Sequence, residues 1–169
     1  MTRKEQKRFN KLIKHYIKHP KIQSMKEYIQ HGDTTTFAHV LQVTKLSYLI
    51  NRRLHLHADE SILIPAALLH DFYLYDWHDK LSVPFWRIRE NHGFIHADAA
   101  ANNAREVFGV NDEVYEVIRS HMWPLNLTHI PKSKEAWILC IADKCVALKE
   151  TIMDRVKKIV RFVRKKVKI

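Results

Sequence analysis

The stretch DESILIPAALLHD, residues 59–71, decides the fold. Its apolar residues surround a helix axis on nearly every side, which is typical of a helix buried at the centre of a helical protein. Pro65 is expected to kink this helix. The stretch closes on the polar pair His70 and Asp71. Its uncharged part, residues 61–70, is about half as long as a bilayer span, so no transmembrane segment is expected.

Outward from this helix, apolar residues recur at spacings of three and four almost everywhere, and no run alternates apolar with polar residues. This pattern predicts an all-α fold. A length of 169 residues suits one domain, so residues 1–169 are interpreted as a single helical bundle with a central buried helix. Three glycines are too few for a Gly-rich phosphate-binding loop. The further predicted helices span residues 1–20, 34–54, 94–108, 111–122 and 133–152, with a basic helix at 153–169.

Charge is concentrated at the two ends of the chain. Residues 1–31 contain nine Lys or Arg and two acids, and residues 155–169 contain eight and none. Residues 32–154 contain twelve Lys or Arg against sixteen acids, so the part that could form a pocket is mildly acidic. The basic C-terminal helix is expected to dock its apolar face on the domain. Weak contact of the ends with a polyanion, either acidic lipid or nucleic acid, is the alternative.

Six ionisable residues fall on the apolar faces of the predicted helices. A single inward histidine is more often a hydrogen-bonded core residue than a metal ligand. Four histidines and two carboxylates on five helices favour a shared divalent ion, because imidazole nitrogen and carboxylate oxygen are its common ligands. The six residues are His39, His70, Asp71, His96, His121 and Asp143.

The order of these residues resembles that of the HD-domain metal-dependent phosphohydrolases. His39, the dipeptide in AALLHDF and the aspartate in CIADK follow the family pattern, and the resemblance covers roughly residues 31–150. His96 in HADAA and His121 in IRSHMWP resemble the two extra histidines of the binuclear branch. The fold it implies is the HD-type helical bundle.

The resemblance also implies a ligand set and a reaction. One ion would take His39, His70, Asp71 and Asp143, and a second would take His96, His121 and a shared oxygen of Asp71. Metal-activated hydroxide would hydrolyse a phosphomonoester or phosphodiester, with a nucleotide as the expected substrate class. Asp71, His96 and His121 are the residues to which the resemblance assigns catalysis. One or two divalent ions are expected, from among iron, manganese, zinc, nickel and magnesium.

Substrate contacts are harder to predict, because the family lysine that follows the dipeptide is missing from HDFYLY. Lys144, one position after Asp143, is a candidate replacement, as are Lys80, Arg105 and Arg119. His92 could donate to phosphate and Trp123 could stack on a base. The aromatic segment 71–91 is interpreted as a loop folded over the pocket.

Two other functions compete with hydrolysis. The chain could be a nucleic-acid or membrane-surface binding module with a structural metal site, or a di-iron oxygenase. Cys140 and Cys145 lie five residues apart in a predicted helix, too far for an unstrained disulfide, and the N-terminus lacks an apolar signal run. A cytoplasmic location is expected.

Overall fold

The computed structural model of the chain describes residues 1–76 and 92–167. In these ranges the chain is all-α apart from one small hairpin, as predicted. The segment interpreted as a pocket loop falls mainly on residues 77–91, which lie outside the described residues. The helices are α1 (Arg3–Ile17), α2 (Pro20–Ser24), α3 (Thr36–Arg53), α4 (Glu60–Leu69), α5 (His92–Phe108), α6 (Asp112–Ser120) and α7 (Lys134–Val167).

The helix starts are encoded by polar capping residues. Thr35, Asp59 and Asn111 accept hydrogen bonds from backbone N–H groups in the first turns of α3, α4 and α6. These side chains satisfy donors that have no partner within their helix. Gly109 follows α5 with a φ of +62°, a left-handed conformation that glycine adopts without strain. The predicted bounds of these helices therefore hold to within a few residues.

Helix α4 lies at the centre of the bundle, as its sequence predicts. It packs against α1, α3, α5, α6 and α7, and its residues from Leu63 to Leu69 are all buried. The helix runs through Pro65 without interruption. Phe9 and Ile13 of α1 join the same apolar core, so the basic N-terminal helix docks through its apolar face.

A two-stranded antiparallel hairpin was not predicted. Strands β1 (Ile29–His31) and β2 (Thr34–Thr35) pair just before α3, with Gly32 at the turn. A Cβ at position 32 would lie 2.6 Å from the side chain of Asp154, so the turn approaches α7 closely enough to require glycine. The strands are too short to show the alternation that signals a sheet.

The basic C-terminal segment differs from our expectation. Helix α7 continues without a break to Val167, so residues 153–167 prolong it rather than form a separate helix. The expectation that this segment docks its apolar face on the domain is wrong, because Val156, Ile159 and Val163 on that face are about half exposed. None of the helices in the described ranges is both long and apolar enough to cross a membrane.

Candidate metal centre

The end of helix α4 supplies two neighbouring polar residues to one point in the core. The helix stops at Leu69, His70 forms its C-cap, and Asp71 follows in non-helical backbone. In a continuing helix, adjacent side chains point about 100° apart. Because the backbone turns here, both side chains point inward, and both residues are buried.

Four other helices bring the remaining predicted ligands to the same point. His39 lies in the first half of α3, His96 in the first half of α5, and Asp143 in the first half of α7. His121 is the C-cap of α6, the same position that His70 occupies on α4. All six predicted ligands are buried and come together in one cluster.

The inner part of the cluster consists of His39, His70 and Asp71, which we call the inner triad. Oδ2 of Asp71 lies 3.4 Å from Nε2 of His70 and 3.7 Å from Nε2 of His39. Oδ1 of Asp143 is 3.2 Å from Nε2 of His39 and 3.6 Å from Nε2 of His70. Two imidazole nitrogens therefore face two carboxylate oxygens across a small gap.

The outer part consists of Asp71, His96 and His121, which we call the outer triad. Oδ1 of Asp71 lies 3.4 Å from Nε2 of His96 and 3.8 Å from Nε2 of His121, and the two nitrogens are 3.0 Å apart. Asp71 thus presents one oxygen to each triad. Its carboxylate is the structural link between them.

The imidazole rings are held with one nitrogen facing the cluster. Nδ1 of His70 donates to the carbonyl of Ala67 at 2.9 Å, and Nδ1 of His121 donates to the carbonyl of Ile118 at 2.7 Å. A proton on Nδ1 leaves the lone pair of a neutral ring on Nε2. Hydrogen bonds of this kind orient histidines that ligate metals.

The spacing of these atoms fits a divalent ion. Ligand atoms with bonds of ~2.1 Å to one ion lie roughly 3.0–3.4 Å apart, close to the separations within each triad. Nε2 of His70 and Oδ1 of Asp71 are buried and have no hydrogen-bond partner among the described residues. Buried polar atoms without a partner are rare, because desolvation without a new bond is costly. A metal ligated by these two atoms would supply the missing partner.

The electrostatics of the cluster show how closely its charges interact. Burial lowers the pKa of His39, but the hydrogen bonds to Asp143 and Glu150 outweigh it and raise that pKa to about 9. Burial likewise lowers the pKa of His70, yet the charge of Asp71 and the contact with Asp143 raise it to about 10. Burial, with the charges of His70 and His96, lowers the pKa of His121 to about 3.

The pKa values of the two carboxyl groups shift downward, opposite to those of His39 and His70. Burial by itself raises the pKa of the Asp71 carboxyl group. The charge of His70 and the close contact between His70 and Asp71 outweigh the effect of burial and keep this pKa below its ordinary value. The same balance, with His39 and His70 as partners, keeps the pKa of Asp143 well below its ordinary value. Both carboxylates are therefore ionised at neutral pH, the form in which carboxylates bind metals.

A family model described as HD domain matches residues 36–148, two thirds of the chain. The chain belongs to the HD domain family. Comparisons with curated proteins and with solved structures gave no match. The matched range begins just before His39 and ends beyond Asp143, so it contains all six residues of the cluster. The resemblance inferred from the sequence is confirmed.

Membership of the HD domain family supports a metal-dependent hydrolase, and the cluster of histidines and aspartates indicates divalent metal binding. Hairpin β1–β2 and the C-terminal part of α7 lie outside the matched range. The division of the chain into domains and the role of each ligand stay predictions.

Two buried residues that support the predicted ligands were not themselves predicted from the sequence. Nε2 of Gln30, on β1, donates to Oδ2 of Asp71 at 2.8 Å, and Oε1 of Gln30 accepts from the hydroxyl of Tyr73 at 2.6 Å. Oε2 of Glu150, on α7, accepts from Nδ1 of His39 at 2.9 Å. Glu150 lies seven residues after Asp143, on the same helix face, and that spacing was the available signal. Gln30 had no comparable signal.

The HD domain cluster opens on one side into a cleft of about 550 Å³. Asp71, His96, His121 and Asp143 line it, whereas His39 and His70 are not among the described residues that do. Met122, Pro124 and Leu125 form an apolar wall, and Lys144 lies at the polar side. The outer triad therefore faces the cleft, and the rest of the inner triad lies behind it.

The residues predicted to bind substrate have different placements. Lys144 lines the cleft, where its Nζ donates to the carbonyl of His121 at 2.8 Å. Trp123 packs edge-on against Trp137, with ring centroids 5.0 Å apart, and is not among the described residues lining the cleft. His92 begins α5, but its side chain lies outside the described residues, as does Lys80. Their substrate contacts stay predictions.

The two remaining candidate cations have acidic partners on the protein surface. Arg119 donates to Asp98 at 2.7 Å and to Glu116 at 3.1 Å. Arg105 pairs with Asp112. Neither arginine is among the described residues that line the cleft. Of the cations predicted to bind substrate, Lys144 is the one found among those lining residues.

Proposed function

We propose that the protein is a phosphohydrolase that uses two divalent ions to cleave a phosphomonoester or phosphodiester. The observation that carries this proposal is the position of Asp71, whose Oδ2 faces the inner triad and whose Oδ1 faces the outer triad. A carboxylate with this orientation suits a pair of ions about 3.5–4 Å apart, the arrangement of two-metal hydrolysis.

The side chains of the cluster would hold and orient the ions. His39, His70, Asp71 and Asp143 would bind the inner ion, and His96, His121 and Asp71 the outer one. Bound ions would supply a nucleophile at neutral pH and neutralise charge on the phosphoryl oxygens. The metals would come from the group iron, manganese, zinc, nickel and magnesium, because imidazole and carboxylate ligands suit several of these ions.

The cleft would bind the rest of the substrate. Lys144 carries a positive charge at the polar side, where it could contact a phosphate oxygen, and its bond to the His121 carbonyl holds it near the outer triad. The apolar wall of Met122, Pro124 and Leu125 suits the uncharged part of an organic phosphate. A nucleotide as substrate is supported by the sequence resemblance to HD-domain phosphohydrolases.

The test is phosphate release by the full chain, loaded separately with each of the five metals. Substrates would be a chromogenic phosphomonoester, a chromogenic phosphodiester and a panel of nucleotides. We expect metal-dependent release that persists without oxygen and is lost in Asp71→Ala, which keeps its helical circular dichroism. Glu106→Ala, an exposed change on α5, is the matched control and retains activity.

Three results would contradict the proposal. Asp71→Ala with full hydrolytic activity would remove the carboxylate from the reaction. A protein that neither contains metal nor responds to added metal would exclude the two-ion mechanism. Substrate turnover that requires oxygen would favour the di-iron oxygenase.

A further inference from the structure

Helix α7 carries an exposed apolar stripe on the side opposite the core. The outer face of a helix in a globular protein is normally polar. Here apolar residues at spacings of three, four and seven follow one face for about 33 Å. Each is between 48% and 63% exposed. We call this set the α7 stripe: Ile141, Leu148, Ile152, Val156, Ile159 and Val163.

The opposite face of the same segment is the one that contacts the protein. Asp154 packs against Gly32 in the hairpin turn. Asp33 of that turn lies 3.8 Å from Nζ of Lys157 and 3.5 Å from Nη2 of Arg161. The polar face of α7 is thus turned toward the body of the protein, and the apolar stripe points away from it.

Among the described residues, the charges beside the α7 stripe are positive. Lys149 lies on one side of it and Arg155 on the other, and Arg164 follows Val163 at its C-terminal end; all three are exposed. The acids between residues 144 and 164 are Glu150, which binds His39, and Asp154, which pairs with Lys158 at 2.7 Å on the inward side. The surface presented to solvent is therefore apolar along its centre and basic along both edges.

We propose that the α7 stripe binds the surface of an anionic lipid bilayer. A helix with an apolar face and flanking Lys and Arg lies in the bilayer interface, with its apolar side chains among the upper acyl groups and its cations at the lipid phosphates. Lys and Arg at the edges can extend to the headgroups while their methylene stems stay in apolar contact. This occupant uses both features of the surface, the stripe and its basic edges.

Other possible partners of the α7 stripe would use only one of its two features, the apolar centre or the basic edges. In a pair of these helices, like charges would face each other along both edges of the seam, which opposes association of two copies. Binding to nucleic acid would use the cations and leave the apolar side chains exposed to water. The observed combination therefore favours lipid, and the proposal is independent of the hydrolytic function.

The test is flotation of the full chain with vesicles at low and moderate ionic strength. One vesicle contains equal parts of phosphatidylserine and phosphatidylcholine, and the other contains phosphatidylcholine alone. We expect binding to the anionic vesicle at least about tenfold tighter than to the neutral one. The triple variant Val156→Gln, Ile159→Gln, Val163→Gln, which changes no charge, should weaken this binding about tenfold or more.

Matched controls separate the stripe from general surface hydrophobicity and from charge. Leu54→Gln, Leu127→Gln, Ile130→Gln changes three exposed apolar residues outside α7 and should bind like the wild-type chain. Lys149→Gln, Arg155→Gln, Arg164→Gln should weaken binding to the anionic vesicle and reduce its dependence on salt. Circular dichroism should be the same for all of these proteins.

Several outcomes would overturn the proposal. Failure to float with the anionic vesicle at low salt would do so, as would equal binding by the stripe variant and the wild-type chain. Light scattering that shows a dimer dissociated by the stripe variant would assign the stripe to self-association. Binding of a single-stranded RNA oligonucleotide without vesicle binding would assign the basic edges to nucleic acid.

Discussion

His39 and Glu150 are separated by 111 positions in the chain, yet Nδ1 of His39 lies 2.9 Å from Oε2 of Glu150. The other oxygen of Glu150 accepts from Nε2 of Gln42 at 3.0 Å. Glu150 thereby fixes the ring of His39 with Nε2 toward Asp143 and Asp71. A carboxylate in this position makes the imidazole a stronger ligand.

Glu150→Gln is expected to weaken metal binding by about 10–100-fold, because the amide keeps the contact but loses the charge that supports His39. The measurement is metal affinity by competition with a chromogenic chelator. Glu106→Gln, an exposed change of the same kind on α5, should bind metal normally. Unchanged affinity in Glu150→Gln would show that Glu150 has only a packing role.

His96→Ala and His121→Ala are each expected to reduce the metal content from two ions toward about one per chain. The inner ligands remain intact in both variants, so the retained ion should be the inner one. Elemental analysis of the purified variants measures this. His39→Ala, which removes a predicted ligand of the inner ion, is the comparison variant. Loss of both ions in His96→Ala would contradict separate inner and outer positions.

Metal uptake is expected to release protons and to strengthen as pH rises. With pKa values of about 9 and about 10, His39 and His70 are protonated at neutral pH in the metal-free chain, whereas a ligand must be neutral. The pKa of each histidine is raised above the ordinary 6.5, so the protonated rings stabilise the metal-free fold in full below pH 6.5. This stabilisation is lost as the pH rises through 9–10. Calorimetric titration in buffers of different ionisation enthalpy counts the protons, and a count of zero would contradict the prediction.

Truncation after Asp154 is expected to change the free energy of unfolding by no more than about 0.5 kcal/mol, as for surface substitutions. The apolar side chains that it removes are already in contact with solvent, and Asp154 keeps its contact with Gly32. Thermal and urea melts measure the effect. Phe9→Ala, in the buried face of α1, should cost about 3–5 kcal/mol in the same assay. A comparable loss on truncation would show that the segment packs on the domain.

The sequence predicted most of the helical fold because its helices have strong local signals. Asp59 and Asn111 cap helix starts, Gly109 ends α5, and the apolar run before His70 marks the central helix. The hairpin at 29–35 was missed because its strands are two and three residues long. The prediction that the C-terminal segment docks its apolar face on the domain was wrong, because an apolar helix face looks the same in a sequence whether it packs on protein or faces solvent. The cytoplasmic location stays a prediction.

The six residues of the cluster could be predicted because four histidines and two carboxylates on apolar faces favour a shared metal ion; their role as ligands stays a prediction. Their supporting residues were harder to find. Glu150 was recognisable by its spacing from Asp143, whereas Gln30 reaches Asp71 only through the hairpin that places it there. The cleft wall formed by Met122, Pro124 and Leu125 depends on how the segment after α6 folds back, which no local pattern encodes.

The one-sided cleft also determines how fast each ion would exchange. Asp71, His96 and His121 line the cleft, so a chelator could approach the outer ion in the native fold. His39 and His70 are buried and are not among the described residues that line the cleft, so an ion held by them would be reached from the cleft only past Asp71 and Asp143. The outer ion would therefore exchange with metal in its surroundings faster than the inner ion.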